Sequence, residues 1–250
     1  MLKQGKILIT GASGFMGRNL SFALKELGNY EILEVNSQTT TDILIENVLA
    51  ADFIVHLAGV NRPTHNEEFY RGNSDLTKTI TNTLLTSSKK TPLIFISSIH
   101  ASLDNDYGKS KRLALQYILD YSQHAQAKVY IFKLTNTFGR WARINLHSVV
   151  ATFCHNIAHD KEILINDRSK ELSLIYIDDL IEAFTDIIKG TPNSNLVIQD
   201  GYYEFSKIYP RTLGYIADTL YKFKKENLHE NTIEDDFEKK LYTTYLSYKD

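Results

Sequence analysis

The chain has 250 residues, 43% hydrophobic and 23% charged, an ordinary balance for a body of one or two domains that can bury a sizeable core. A formal net charge of −2 argues against nucleic acid or an anionic membrane surface as the main partner. Cys154 is the only cysteine, which excludes an internal disulfide, a zinc ribbon and a thiol pair.

The opening stretch, MLKQGKILITGASG, lacks the apolar segment and small-residue cleavage site of a secretory leader, and no apolar run approaches the ~20 residues of a membrane span. The cytoplasm is therefore the expected location. KILIT (6–10) reads as a first strand. ITGASGFMG follows it and places Gly11, Gly14 and Gly17 between strand and helix. Backbone amides aimed at an anion, with no side chain in the way, are what the pyrophosphate of a dinucleotide needs. The three-and-three spacing differs from the two-and-three of the dehydrogenase fingerprint, but a strand before and a helix after supply the required context. Leu20, Leu24 and Leu27 then fall on one helical face.

EILEV (31–35) is the second predicted strand. It ends in Asn36 and Ser37 with no terminal acid, Glu34 lies inside the strand, and Arg18 follows the last glycine, where it could meet a ribose 2′-phosphate. This balance favours NADPH over NADH. Only residues 42–50 separate this strand from the third, FIVHL (53–57), so one expected unit is shortened. His56 inside that strand reads as a satisfied buried histidine near the cofactor.

LIFIS (93–97) is the fourth strand, closing on Ser97 and Ser98; Tyr107 follows nine residues later and Lys111 four after that. At i and i+4 the phenol and the ammonium share a helix face. A phenol, with a reference pKa of about 10, is a poor acid at neutral pH, and a neighbouring ammonium stabilises its phenolate and brings it toward a useful range. A serine hydroxyl at a strand's carboxyl end could hydrogen-bond a substrate carbonyl while Tyr107 donates the proton that accompanies hydride delivery. Alternation along the strand lets only one of the two serines reach the substrate. Leu115, Ile118 and Tyr121 mark the next helix and VYIFKL (129–134) the fifth strand. Strands apolar throughout, separated by amphipathic helices, imply a parallel sheet covered on both faces: an α/β, Rossmann-like doubly wound fold.

Beyond residue 135 the alternation becomes irregular. EILIN, LSLIYI and NLVIQD are strand candidates, and Leu213, Ile216, Leu220 and Phe223 mark a late helix. The expected organisation is a dinucleotide-binding core over 1–135, a small substrate-binding portion over 136–226 that interleaves with it, and a tail over 227–250. That last stretch is a docked helix or a linker, with Tyr242, Tyr245 and Tyr248 packing on the body, a partner or a further domain. His155 and His159 are spaced as ligands on a helix could be, but no third ligand is evident and no metal is expected. Cys154 reads as core.

TGASGFMG, HLAG and YGKSK resemble the extended short-chain dehydrogenase/reductase superfamily, most of whose members act on nucleotide sugars. ADFIVHLAGVNRP, SVVATFCHNIA, YIDD and LYTTYLSY carry a closer resemblance, over nearly the whole chain, to the reductase domain of the capsular-polysaccharide enzymes of the CapF type. That resemblance implies NADPH-dependent reduction of the C4 ketone of a UDP-linked 6-deoxy-N-acetylhexosulose on the way to a cell-surface polysaccharide. It assigns catalysis to Ser98, preferred over Ser97, with Tyr107 and Lys111. The implied cofactor site comprises Gly11, Ser13, Gly14, Phe15, Met16, Gly17, Arg18, Ser37, Leu57, Ala58, Gly59, Asn73, Tyr107 and Lys111; Arg62, Ser98, Asn136 and Arg168 would meet the UDP-sugar.

The chain departs from the pattern in three places: Leu172 where the superfamily has an arginine before the YIDD-type segment, Thr135 before Asn136 in place of proline, and Ser37 where close relatives are basic. CapF-type enzymes continue into a metal-binding cupin domain that epimerises C3; either that domain was removed or lost here or a separate cupin-type protein supplies it. This stretch by itself is therefore expected to reduce and not epimerise, with a homodimer as its assembly. A nucleotide-sugar 4-epimerase or dehydratase, and a non-catalytic dinucleotide sensor or scaffold, are the alternative readings.

Overall fold

The computed structural model describes residues 2–61, 63–146, 148–226 and 232–249. In chain order it begins β1 (Gly5–Thr10), α1 (Phe15–Leu27), β2 (Tyr30–Val35), α2 (Thr41–Ala50) and β3 (Phe53–His56). A helical segment follows as α3 (Glu67–Phe69), a π-helical stretch (Tyr70–Asp75) and α4 (Leu76–Thr86). Next come β4 (Leu93–Ser98), α5 (Asp106–Ala125), β5 (Val129–Leu134), β6 (Asn136–Phe138), α6 (Val149–Ala158), β7 (Glu171–Tyr176) and α7 (Ile177–Lys189). The chain closes with β8 (Leu196–Gln199), β9 (Tyr202–Phe205), β10 (Tyr209–Thr212), α8 (Leu213–Glu226) and α9 (Asp236–Leu246). It divides into two compact units, Met1–Leu134 with Ala183–Glu204 and Thr135–Glu182 with Phe205–Asp250.

The first unit is built on a seven-stranded sheet in the order β2-β1-β3-β4-β5-β9-β8. The pairs β1–β2, β1–β3, β3–β4, β4–β5 and β5–β9 are parallel. The five predicted strands are all present, because runs such as Lys6–Thr10 and Phe53–His56 are apolar enough to be buried on both faces. On one face Leu8, Ile54, Phe95 and Ile131 pack with Leu44 and Val48 of α2, Ile80 and Leu84 of α4, and Ile118 and Tyr121 of α5. The segment expected to be shortened is a single helix, α2, capped by the Thr40 hydroxyl, which accepts from the Ile43 amide. It carries the chain from β2 past β1 to β3, so the strand order reverses between β1 and β3. In such sheets the crevice at the carboxyl ends of the two diverging strands is where ligands bind.

One strand expectation is corrected, and one helical stripe proves only partly covered. Leu20 and Leu24 of α1 are buried, but Leu27, the last residue of the helix, is 37% exposed. The apolar stripe outruns the surface that covers it. EILIN (162–166), a short apolar run expected as a strand, forms none, and Leu164 is 86% exposed. LSLIYI does form β7, NLVIQD forms β8 at the edge of the seven-stranded sheet, and the late helix is α8.

The second unit has a three-stranded sheet, β10-β7-β6, with β10 antiparallel and β6 parallel to β7. Its core gathers Phe153, Cys154 and Ile157 of α6, Ile216, Leu220 and Phe223 of α8, and Phe237, Leu241 and Tyr245 of α9. Tyr242 and Tyr245 are buried, and the Tyr248 hydroxyl donates to the Ala142 carbonyl at 2.6 Å. The C-terminal tyrosines thus pack on their own unit. No described helix is long and apolar enough to cross a membrane.

Candidate active site

The turn after β1 folds tightly. The amides of Gly11 and Ala12 donate to the Val35 carbonyl at 2.8 and 3.2 Å, and the Gly14 amide donates to the Gly11 carbonyl at 2.9 Å. Gly14 is the N-cap of α1 and has no side chain to fill that role, and the first turn carries no acid. The leading amides of a helix, here those of Phe15, Met16 and Gly17, have no partners within it and form its positive end. Position 17 admits only glycine: a Cβ there would lie 2.2 Å from the Gly11 oxygen. Ser13 and Arg18 are exposed beside the turn. The cradle fits the pyrophosphate of a dinucleotide.

At the end of β2 the Asn36 side chain accepts from the Gln38 amide at 2.9 Å, and Ser37 is exposed. Residues 36–41 contain no acid, and Glu34 is held by Lys25 at 2.6 Å.

At the end of β3, Leu57 and Ala58 are half-buried and Gly59 is exposed. His56 is buried with both ring nitrogens engaged: Nδ1 lies 2.6 Å from Thr10 Oγ1 and Nε2 2.8 Å from Thr77 Oγ1. Burial, and secondarily the Lys111 cation, push its pKa down to about 3, so the ring is neutral. The reading of His56 as a satisfied buried residue holds. Asn73, in the π-helical stretch, accepts from the Val60 amide at 2.9 Å and donates to the Val60 carbonyl at 3.0 Å and to Ser110 Oγ at 2.9 Å.

Ser97 is buried, whereas Ser98, the last residue of β4, is half-buried. The loop that follows leads into α5, whose N-cap Asn105 accepts from the Gly108 amide at 2.8 Å. Arg112 grips this loop by donating to the Ala101 and Leu103 carbonyls. Gly108 is required by close approach, since a Cβ would lie 2.0 Å from the Leu103 oxygen. Tyr107 is half-buried with its ring edge-on to Phe69 at 5.6 Å. Lys111, one turn further on, is 8% exposed and donates to the Ile96 carbonyl at 2.9 Å, and burial pulls its pKa from the ordinary 10.5 to about 8. A Cβ on Gly59 would stand 3.8 Å from its ammonium nitrogen. Lys111 therefore brings a cation to the loop beyond β3.

The first unit thus contains Gly11, Ser13, Gly14, Phe15, Met16, Gly17, Arg18, Ser37, Leu57, Ala58, Gly59, Asn73, Ser98, Tyr107 and Lys111. In the second unit Asn136 is exposed at the start of β6, and Arg168 is held by both oxygens of Asp218 at 2.7 Å. Arg62 lies outside the described residues. Thr10, Thr77, Ser110, Asn105 and Arg112 escaped the sequence reading. Their roles depend on partners 3 to 46 positions away, and only the asparagine before the YGKSK helix carried a local signal. His155 and His159 stack at 4.2 Å, and no group of three or more metal-ligating side chains occurs among the described residues.

The model of the NAD dependent epimerase/dehydratase family matches residues 7–197, more than half of the chain. The chain belongs to that family. Along 97% of its length it is 40% identical to the UDP-2-acetamido-2,6-beta-L-arabino-hexul-4-ose reductase of Pseudomonas aeruginosa. It is also 40% identical, with a TM-score of 0.83, to the capsular polysaccharide assembling protein CapF from Staphylococcus aureus, again over 97% of this chain. The chain spans 64% of the length of each of these relatives. The Bordetella bronchiseptica enzyme WbmF, solved in complex with NADH, shares the fold with a TM-score of 0.79 at 15% identity over 99% of this chain and 93% of that one. These likenesses establish the α/β Rossmann-like, dinucleotide-binding architecture of this epimerase/dehydratase-family chain.

Proposed function

We propose that the chain is a cytoplasmic NADPH-dependent reductase that converts the C4 ketone of a UDP-linked 6-deoxy-N-acetylhexosulose to an alcohol, in the synthesis of a capsular or cell-surface polysaccharide precursor. The observation that carries the reading is the buried Lys111 cation one helical turn from Tyr107, beside the carboxyl end of β4. The 40% identity to the Pseudomonas reductase supports the substrate class. Bound NADPH supplies the hydride. Ser98 orients the ketone through a hydrogen bond to its oxygen, and Tyr107 gives that oxygen its phenolic proton. Lys111, one helical turn further on, is the cation proposed to stabilise the phenolate left behind.

Support for NADPH comes from the end of β2, where residues 36–41 carry no acid for a ribose 2′-hydroxyl and Glu34 is already paired; exposed Arg18 and Ser37 are the groups offered to a 2′-phosphate. Arg62, Asn136 and Arg168 are proposed to meet the UDP-sugar, and Arg168 must exchange Asp218 for the diphosphate to do so. A homodimer, and a cupin-type epimerase acting on the same sugar, complete the proposal.

Incubation with NADPH and a UDP-4-keto-6-deoxy-N-acetylhexosamine is expected to consume the two in equal amounts, with NADH a poorer donor. Tyr107→Phe lowers kcat by about 10²–10⁴-fold and leaves NADPH affinity intact. Turnover that survives this substitution overturns the assignment of Tyr107. The epimerase/dehydratase family model favours a second reading, a nucleotide-sugar 4-epimerase or dehydratase. NAD⁺ retained through purification, with no net consumption of NADPH, would favour it.

A further inference from the structure

His56 is buried, and so are the side chains of Thr10, Thr77, Asn73 and Ser110 around it. In such a place every hydrogen needs an acceptor, and a hydroxyl has one hydrogen to give. The Thr77 hydroxyl gives its hydrogen to the Asn73 carbonyl at 2.6 Å, one turn back on the helix. It can only accept from His56, so Nε2 carries the ring proton. Nδ1 of the neutral ring is then bare and must accept, which turns the Thr10 hydroxyl toward it. The Thr10 oxygen in turn accepts from the Ala58 amide at 3.2 Å. The directions close without a leftover donor: Ala58 N–H to Thr10, Thr10 to His56, His56 to Thr77, Thr77 to the Asn73 carbonyl. A second proton on His56 would face the Thr10 oxygen, leave the Thr10 hydrogen without its acceptor and add a cation near Lys111.

The side chain of Asn73 continues the path. It clamps both polar groups of Val60 and donates to Ser110, whose hydroxyl donates to the Tyr107 carbonyl at 2.8 Å. We propose that Thr10, His56 and Thr77 form a one-way positioning relay through the Nε2-protonated tautomer of His56. The relay fixes the Ala58–Val60 loop against Asn73 and, through Ser110, sets the first turn of α5 that presents Tyr107. His56 is thus a positioning residue for the dinucleotide pocket and takes no part in proton transfer. The inference rests on the dinucleotide reading of the crevice and not on the identity of the sugar.

The experiment has two arms, both on the full chain. Nitrogen NMR of ¹⁵N-histidine-labelled protein, with His56 assigned by its loss in H56Q, is expected to show a pyridine-like Nδ1 and a pyrrole-like Nε2. The opposite tautomer, or a doubly protonated ring at neutral pH, overturns the relay. In the second arm NADPH and NADH affinities are read by fluorescence titration. Thr77→Val, which keeps the shape and loses the hydroxyl, is expected to weaken the preferred dinucleotide about tenfold, the loss of roughly one buried hydrogen bond. Thr77→Ser, which restores the hydroxyl, returns the affinity to that of the wild type. Equal affinities for Val and Ser variants overturn the positioning role, since a purely packing role follows shape and not the hydroxyl. Should Thr77→Val fail to fold, the tautomer decides. A wild type that binds neither dinucleotide sinks the functional reading, and the relay is then judged on the tautomer alone.

Discussion

An ammonium as buried as that of Lys111 works against the fold that contains it. Its pKa in the folded chain, about 8, lies below the ordinary 10.5 because burial penalises the charged form. The penalty is complete below pH 8, where the group is charged in both states, and fades as pH rises from about 8 to 10.5. A gap of this size corresponds to about 3 kcal/mol. The bond to the Ile96 carbonyl returns part of it, since hydrogen bonds to charged groups contribute about 1.5–3 kcal/mol. Lys111→Met is therefore expected to melt no lower than the wild type at pH 7 while losing most of its turnover. Thermal unfolding beside the ketosugar assay checks both halves, and a fall in Tm of more than ~5 °C would refute the account of a strained charge. At this scale strand alternation sends Ser97 and Ser98 to opposite faces, and Ser97 is buried where Ser98 is half-buried. The partners of His56 were illegible, because Thr10 and Thr77 lie 46 and 21 positions from it.

Helix α5 shows what an element's ends contribute. Its first turn carries Tyr107, and that turn is held by the Asn105 cap and by Arg112 on the preceding loop. Asn105→Ala removes the acceptor for the Gly108 amide and is expected to cost about 1 kcal/mol. For a chain of this length that is a Tm lowered by roughly 2–4 °C. Asn105→Ser should recover most of the loss, and a Tm unmoved by either change would show that the cap does not hold the turn. Strands β1 to β5 were legible because continuous apolar runs signal burial on two faces. EILIN was misread because an apolar run reports hydrophobicity and not what covers it, and Leu164 is 86% exposed. The π-helical stretch at Tyr70–Asp75, which brings Asn73 to Val60 and Ser110, left no pattern in the sequence.

At the scale of the whole molecule, one group of charges interlocks within the second unit. Asp236, at the start of α9, accepts from the Tyr209 hydroxyl and pairs with Lys207 at 2.9 Å and Lys240 at 3.6 Å. Lys240 is also held by both oxygens of Asp179, at 2.8 and 2.6 Å, and lies over the rings of Tyr176 and Tyr209. The Tyr209 hydrogen bond, followed by the two lysines, depresses the Asp236 pKa from 3.8 to about 2. A carboxylate whose folded pKa is depressed contributes stability above its unfolded pKa and loses it as pH falls through the folded one. The wild type should accordingly lose stability between pH ~4 and ~2, and Asp236→Asn should be less stable at neutral pH with a shallower fall over that range. Melting curves in a pH series test this, and parallel falls for the two proteins would remove Asp236 from the account. What the amino-acid order determined unaided was local: buried strands, the glycine cradle, and a phenol and an ammonium on one helix face. These follow from chain geometry within a few residues. Which groups close the hydrogen bonds of His56, why Arg168 is tied to Asp218, and how residues 196–205 extend the seven-stranded sheet were decided only by the tertiary structure. Buried polar groups must find partners wherever packing supplies them, however distant in the chain.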